Sequence, residues 1–340
     1  MADGVSSHTS GTVAVDLPSP PRRQAVACSP TARDVLMLVN RKAGRRGGKS
    51  RAKVATEAAQ AAGFLVEQVE SPDELAAKSR ARLASGDLRA VVAVGGDGTV
   101  GLALNSTPPG TPLAVVPAGT ENLLAKYLGS CPRPAELGQL ISSGVKVKLD
   151  AGRANGRLFT LMISAGFDAE VVRRVHATRR GNITHLAYAA PILQALQRYQ
   201  YPPLHASWTD EAGVRQEQVG RWLFGVNLPR YAQDLPIVPE ADGADGLLDL
   251  CLFERGGMAA GLWYLWHVIR RRREKLTSVS ASQLTQFRIA SPVENVAYQL
   301  DGDPGGILPV DVSVVPERLT LLVAPTTATK LGFAVPVPAA

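Results

Sequence analysis

The hydrophobic pattern of the chain changes character near Ser143-Gly144. Before that point, short apolar runs alternate with helical stretches. "DVLMLVN" (34–40) reads as a buried strand, a helical stretch runs from about Ser50 to Ala62, and a strand is expected at 64–69. "SPDE" (71–74) is a helix start: serine caps, proline takes the first turn, and glutamate sits three residues after the cap. That helix ends near Gly86. The apolar run Val91–Val94 then enters a glycine turn, followed by a short helix and a strand at 113–116. Strands alternating with helices predict an α/β domain built on a doubly wound parallel sheet.

After residue 144 the pattern is mostly strands. Asn155-Gly156 is a hairpin signal between "KLDAGRA" and "RLFTLMIS". Further strands are expected at 204–208, 221–227, 247–253, 286–289, 296–300, 310–315 and 319–323, with one helix at 184–199 and another at 258–275. This is the signature of a mostly antiparallel β-sandwich domain. Residues 1–32 are rich in Ser, Thr, Pro and Ala without apolar period and read as a disordered leader, so regular structure is expected to start at Asp34. The resulting division is leader 1–32, α/β domain 33–144 and β domain 145–324; the poorly patterned tail 325–340 could return to the first domain.

Composition narrows this picture only in places. With 340 residues, 45% of them hydrophobic, the chain can build two packed domains. A net charge of +7 suits an anionic partner: nucleotide, nucleic acid or acidic membrane. Nucleic acid is disfavoured, because the basic residues are not interleaved with aromatics, which total 5%. Cys28, Cys131 and Cys251 stand far apart, giving neither a disulfide framework nor zinc spacing. No apolar run approaches the roughly 18 to 20 residues of a membrane span, and the start of the chain lacks signal-peptide layout. A cytoplasmic protein, attached to membrane at most peripherally, is expected. The oligomeric state is unreadable, and a homodimer stays open.

The candidate chemistry lies at predicted strand ends. "VVAVGGDGT" (91–99) and "LAVVPAGTEN" (113–122) both run from an apolar strand into glycine and polar groups. In an open parallel sheet the carboxyl ends of the strands share one edge, where ligands bind. Successive glycines free backbone N–H groups to converge on phosphate oxygens. Thr99 and Thr120 add hydroxyls, Asn40 and Asn122 amides. Asp97 would repel phosphate unless a cation or a transferable proton intervenes, so it is expected to act through Mg²⁺, a substrate hydroxyl, or both. No P-loop and no dinucleotide fingerprint occurs. A basic loop follows the first strand, carrying Arg41, Lys42, Arg45, Arg46, Lys49, Arg51 and Lys53; it is either a solvated charge run or a neighbour of the phosphate site. In "GMAAGLWYLWHVIRRRREKL" (257–276), Leu262, Leu265 and Ile269 form an aliphatic face suited to packing on the β domain. Trp263, Trp266 and the arginines Arg270–Arg273 suit contact with an anionic membrane. His176, His185, His205 and His267 show no metal spacing.

GGDGT (95–99) with PAGTEN (117–122) resembles the diacylglycerol kinase catalytic-domain family, which takes in bacterial lipid kinases, eukaryotic diacylglycerol kinases, and sphingosine and ceramide kinases. "LDAGRANGRLF", "SAGFDAEVV" (164–172), "ADGADGLLDL" (241–250) and "LDGDPGG" (300–306) follow in the family's order, so the resemblance covers roughly 34–323. It implies ATP between the domains. The phosphates would lie on Gly95, Gly96, Asp97, Gly98, Thr99, Val100 and Gly101, with further contacts from Asn40, Gly119, Thr120 and Asn122. It implies Asp97 acting with the metal, Asp303 as proton acceptor in place of the acid of a "DGE" motif, a structural Mg²⁺ at Asp242, Asp245 and the Leu247 carbonyl, and a lipid-contacting role for Asp168. Three positions depart from the family pattern: Asp303 is one methylene shorter than glutamate, Gly101-Leu102 replaces Asn-Glu, and Leu123 replaces aspartate. The implied activity is phosphoryl transfer from ATP to a lipid hydroxyl. An NAD kinase, or a non-catalytic nucleotide- or lipid-binding protein on the same scaffold, are the alternatives.

Overall fold

The computed structural model describes residues 23–40, 47–129, 131–177, 199–230 and 235–336. The leader up to residue 22, the basic residues Arg41, Lys42, Arg45 and Arg46, and the expected helix up to residue 198 lie outside them.

Strands β2 (Asp34–Val39), β3 (Leu65–Val69), β4 (Leu88–Gly95) and β5 (Leu113–Pro117) run parallel in the order β5-β4-β2-β3. Helices cover both faces. Val35, Met37, Val92 and Val116 pack against Ala52, Ala55 and Ala59 of α1 (Gly47–Ala61), while Leu36, Leu38, Val91 and Val115 meet Leu75 of α2 (Pro72–Ser85) and Val100 and Leu104 of α3 (Asp97–Ser106). This double burial is why β4 is buried at every position and reads as a continuous apolar run rather than an alternation. The cap of α2 is as the sequence predicts: Ser71 Oγ accepts from Glu74 N (3.1 Å) and Glu74 Oε2 accepts from Glu70 N (2.8 Å). Two short helices follow, α4 (Leu123–Leu128) and α5 (Leu137–Ser143).

The second half is an antiparallel sandwich. One layer is the six-stranded sheet β13-β12-β11-β8-β15-β16, from β8 (Met162–Gly166), β11 (Trp222–Val226), β12 (Leu248–Phe253), β13 (Val279–Leu284), β15 (Ala297–Leu300) and β16 (Asp303–Ile307). The facing layer contains β6 (Val145–Ala154), β7 (Arg157–Phe159), β9 (Leu204–Thr209), β10 (Arg215–Gly220), β14 (Gln286–Ala290) and β17 (Val310–Val323). Between them Phe159, Ile163, Leu204, Leu250, Phe287 and Val312 form a buried core. Asn155 and Gly156 turn the β6–β7 hairpin at φ values of 44° and 88°, the left-handed pair that the Asn-Gly signal predicts. The remaining helices are α6 (Phe167–Ala177), α7 (Met258–Ile269) and α8 (Pro325–Lys330).

Three features depart from the sequence reading. First, ordered structure begins ahead of Asp34: β1 (Val26–Ala27) pairs with β6, and Ala25 N donates to Ala334 O (2.9 Å). Two paired residues offer no periodicity to read. Second, 310–315 and 319–323 are one strand. β17 pairs with β14 and β6 in the sandwich and, at Leu321–Leu113, with β5 of the α/β sheet, so the two domains share an 11-stranded sheet. Its interruption is an irregularity between Val315 and Leu319, where Glu317 takes φ 51°. Third, the unpredicted strands β10, β13 and β16 all lie at sheet edges. Edge strands bury little and need no apolar alternation.

Candidate active site

The carboxyl ends of β2, β4 and β5 lie side by side. Gly95 pairs with Pro117, Asn40 N donates to Val94 O (3.2 Å), and Ala118 N donates to Gly95 O (2.8 Å). The two glycine corners therefore touch. A Cβ built on Gly119 would stand 2.5 Å from the Gly96 Cα, so Gly119 accepts no side chain while the corners keep this contact, and one on Gly96 would press the Gly119 Cα at 3.2 Å. Gly95 is glycine for another reason: a Cβ there would run into the Thr99 side chain. Gly98, Asn40 and Thr120 are exposed, so the edge opens to solvent.

Several expected phosphate contacts have local work instead. Thr99 is buried beneath Gly95 with the Asn40 Nδ2 3.5 Å from its Oγ1. Val100 is buried as well, which leaves only its backbone for a ligand. Asn122, at φ 49°, spends its amide on its own loop: its Oδ1 accepts from Gly119 N (2.9 Å) and its Nδ2 donates to Gly119 O (2.9 Å). Gly101, one turn into α3, faces open space.

Asp97 departs most from expectation. Its Oδ2 accepts from Leu123 N (2.9 Å) and its Oδ1 from Leu124 N (3.0 Å), so the carboxylate caps the first turn of α4. Burial pushes its carboxyl above the ordinary range, and the two N–H donors pull it back. Each oxygen is thus engaged once by the backbone, which makes Asp97 a cap of α4 and leaves each oxygen a second lone pair. The cap of α3 itself is Gly96, which supplies no side-chain hydrogen bond, so the start of that helix stays open to an anion.

Asp303 comes to this edge from the other domain. The turn "LDGDPGG" between β15 and β16 is held by Asp301, which is half-buried at φ 51° and accepts from Thr160 N (2.6 Å), Thr160 Oγ1 (2.9 Å), Leu161 N (2.8 Å) and Met162 N (3.0 Å). Gly302 then takes φ 86° and Asp303 emerges half-exposed. Its Oδ2 would lie 3.0 Å from a Cβ on Gly98. Its Oδ1 is 3.3 Å from His176 Nε2, at the end of α6, and its Oδ2 is 4.0 Å from Arg157 Nη2. The shorter side chain is thus met by a loop that approaches it at a glycine.

Asp168 lies behind that turn. Its Oδ2 bonds to Ser164 Oγ, which accepts from Gln299 Nε2 (2.6 Å), while Gln299 Oε1 accepts from Gly302 N (2.7 Å). Asp242 lies elsewhere: both of its oxygens take the Arg23 guanidinium, at 2.8 and 2.7 Å. Asp245 Oδ1 accepts from Leu247 N (2.9 Å). The Mg²⁺ expected at Asp242, Asp245 and Leu247 does not fit this arrangement, because a guanidinium already neutralises the first carboxylate. Among the described residues no group of three or more His, Cys, Asp or Glu is arranged to hold a metal ion. Of the basic loop, Lys49, Arg51 and Lys53 are exposed at the start of α1; Arg51 reaches Pro117 O at the second corner, and Lys53 meets Glu57 (3.8 Å).

Sequence reasoning passed over three residues. Asp301 was available as the acid of an Asp-Gly pair after an apolar strand. His176 and Arg157 carried no local signal, since their meeting with Asp303 depends on tertiary contacts. Asn105 is a fourth case of a different kind: it donates to Leu158 O (2.9 Å) and accepts from Leu158 N (2.8 Å), fastening α3 to the β domain beside the site.

Residues 34–154 match the family model "Diacylglycerol kinase catalytic domain", and residues 161–323 match "YegS C-terminal NAD kinase beta sandwich-like domain". A diacylglycerol kinase of Mycobacterium tuberculosis is 30% identical over 243 residues, 68% of this chain and 76% of the relative. One of Bacillus subtilis is 24% identical over 225 residues, 64% and 72%. A solved structure of a diacylglycerol kinase from Bacillus anthracis superposes with a TM-score of 0.60 at 16% identity, covering 88% of this chain and 99% of that one, a likeness of fold alone.

Proposed function

Because the chain belongs to the diacylglycerol kinase catalytic-domain family and is a kinase, we propose that it transfers the γ-phosphoryl group of ATP to the hydroxyl of a lipid, diacylglycerol or a relative of it. Mg²⁺ enters as part of the MgATP substrate. On this reading residues 33–144, with the returning tail, bind nucleotide, and residues 145–324 present the lipid.

One observation carries the reading. The Asp303 carboxylate lies against Gly98, in the first turn of α3, so a proton acceptor and an open helix start share one small space. Phosphoryl transfer asks the protein mainly to position groups and neutralise charge. The start of α3 offers N–H groups and the positive end of the helix dipole to phosphate oxygens. Arg51 beside Pro117 adds positive charge on the same edge. Asp303 accepts the proton of the lipid hydroxyl as it attacks, with His176 and Arg157 orienting the carboxylate. Asp97 is a positioning residue: by capping α4 it keeps the second corner against the first.

The test is to incubate the protein with labelled ATP, Mg²⁺ and, separately, diacylglycerol, monoacylglycerol, a sphingoid base, an isoprenoid alcohol and NAD. Label is expected on a lipid. Label on NAD alone would favour the NAD kinase reading, and ATP binding without turnover of any acceptor would favour a non-catalytic protein.

A further inference from the structure

Helix α7 contradicts half of what its sequence implies. The aliphatic face expected to pack on the β domain is open: Leu262 is 62%, Leu265 40% and Ile269 57% exposed. The tryptophans beside it are open too, Trp263 at 52% and Trp266 at 43%. Only Tyr264, His267 and Val268 turn inward, one narrow stripe at helical spacing. The helix stays in place through that stripe. Tyr264 packs on Phe253 (ring centroids 4.8 Å), and its hydroxyl lies 3.0 Å from Ser278 Oγ and accepts from Arg255 N (3.0 Å). An apolar surface this continuous marks an interaction site.

Its chemistry selects the partner. The two indoles stack at 5.9 Å with 17° between planes, and the Arg270 guanidinium lies 5.3 Å over the Trp266 ring. Arg270, Arg271 and Arg272 follow, all exposed and without an ion pair among the described residues. Arg273 differs, since it pairs with Glu240. Glu274 and Lys275 are exposed beyond it and cancel each other. Indole favours the headgroup layer of a bilayer, where its ring is buried and its N–H is wet. Arginines at the same level favour anionic headgroups. Lipid chains conform to an exposed apolar helix face such as this one without needing a matched surface.

We propose that the outer face of α7 is a docking surface for an anionic lipid bilayer, with Leu262, Trp263, Trp266 and Ile269 entering the interface and Arg270–Arg272 resting on lipid phosphates. The helix shares a framework with the candidate active site. A Cβ on Gly261 would stand 2.8 Å from the Trp222 ring, Trp222 packs on Phe167 at the start of α6 (5.2 Å), and α6 ends in His176 against Asp303. The proposal goes beyond the kinase reading and does not need it, because binding is measured without ATP.

The experiment is sedimentation of the full chain with vesicles of phosphatidylcholine alone and of phosphatidylcholine and phosphatidylglycerol in equal parts. Binding is expected on the anionic vesicles and is expected to weaken with salt. Arg270→Gln/Arg271→Gln/Arg272→Gln should lower that affinity by roughly tenfold to a hundredfold, and Trp263→Ala/Trp266→Ala by about tenfold. Thermal unfolding of each variant checks that the fold is kept. Brominated phosphatidylglycerol should quench tryptophan emission of the unaltered protein, which reads insertion without any substitution. Equal binding by folded variants, equal binding to neutral vesicles, or absence of quenching would each overturn the proposal. So would a wild-type dimer that becomes monomeric in Trp263→Ala/Trp266→Ala, since the face would then cover a second copy. Phosphorylation of lipid in detergent micelles, measured alongside, separates failure of this proposal from failure of the kinase reading.

Discussion

Two turns of this molecule look alike on paper: Val94-Gly95-Gly96-Asp97-Gly98 and Gln299-Leu300-Asp301-Gly302-Asp303. Each ends a buried strand and sets an aspartate directly before a glycine. In the first turn the aspartate folds inward and caps α4. In the second, Asp301 folds inward in the same manner, gathering four donors, and a second aspartate two residues later is left facing the cleft. The acid of an Asp-Gly pair is thus a fastening device in both places. The carboxylate available for chemistry is the one whose oxygens the backbone has not claimed.

The sharpest way to break this comparison is Asp303→Asn. It should lower turnover by roughly 10²- to 10⁴-fold while leaving urea unfolding unchanged; full activity in labelled-ATP assays would remove Asp303 from the chemistry. Asp301→Asn should do the reverse in kind. It replaces a carboxylate oxygen by an amide donor facing buried N–H groups, and unfolding should show a loss of about 3 kcal/mol. Asp97→Asn belongs between the two: it weakens the α4 cap by about 1–2 kcal/mol and lowers activity through misplacement of the second corner. If it purified folded with full activity, the positioning role would fall.

The smallest effect concerns an aspartate outside both turns. Burial first, then the charge of Asp245, pushes the buried Asp249 carboxyl up to about 6 from an ordinary 3.8. A raised carboxyl favours the protonated folded state, so its contribution is complete below about pH 4 and is lost as pH rises through about 6. Asp249→Asn should therefore flatten the fall in stability between those values, by about 1 kcal/mol once solvent screening is allowed for. An unchanged profile in denaturant titrations at pH 4 and pH 7 would show that Asp249 ionises freely.

Much of the first domain, and one hairpin of the second, was legible because the evidence is local. The α2 cap, the buried runs of β2 and β4 and the Asn155-Gly156 turn each lie within a few residues, where the chain dictates its own geometry. The glycine corners were legible as a site but not as a mechanism: that Gly96 touches Gly119, and that Thr99 and Asn122 turn inward, are contacts across the sheet edge that no spacing encodes. Asp303 was reached through family resemblance, whereas its partners His176 and Arg157 are separated from it by more than a hundred residues of sequence. Likewise nothing in "ADGADGLLDL" tells that Arg23 will cross to Asp242, and nothing in "GMAAGLWYLWHVI" tells that α7 will bury its tyrosine and leave its leucines outside.

The run of β17 through both halves bears on how such a protein could admit and release its substrates. A strand bonded to partners in both halves leaves no free tether on which one half can swing away from the other. Opening would instead be taken up as torsion along a common beam, and the one place where the ladder skips, between Val315 and Leu319 around a left-handed Glu317, is itself tied down: Glu317 N donates to Asp150 Oδ1 (2.8 Å), and Arg318 Nη2 donates to Leu104 O (2.7 Å) and Thr107 O (2.6 Å) of the first domain. A beam fastened at its one irregularity favours a small twist of the halves over a swing about a hinge.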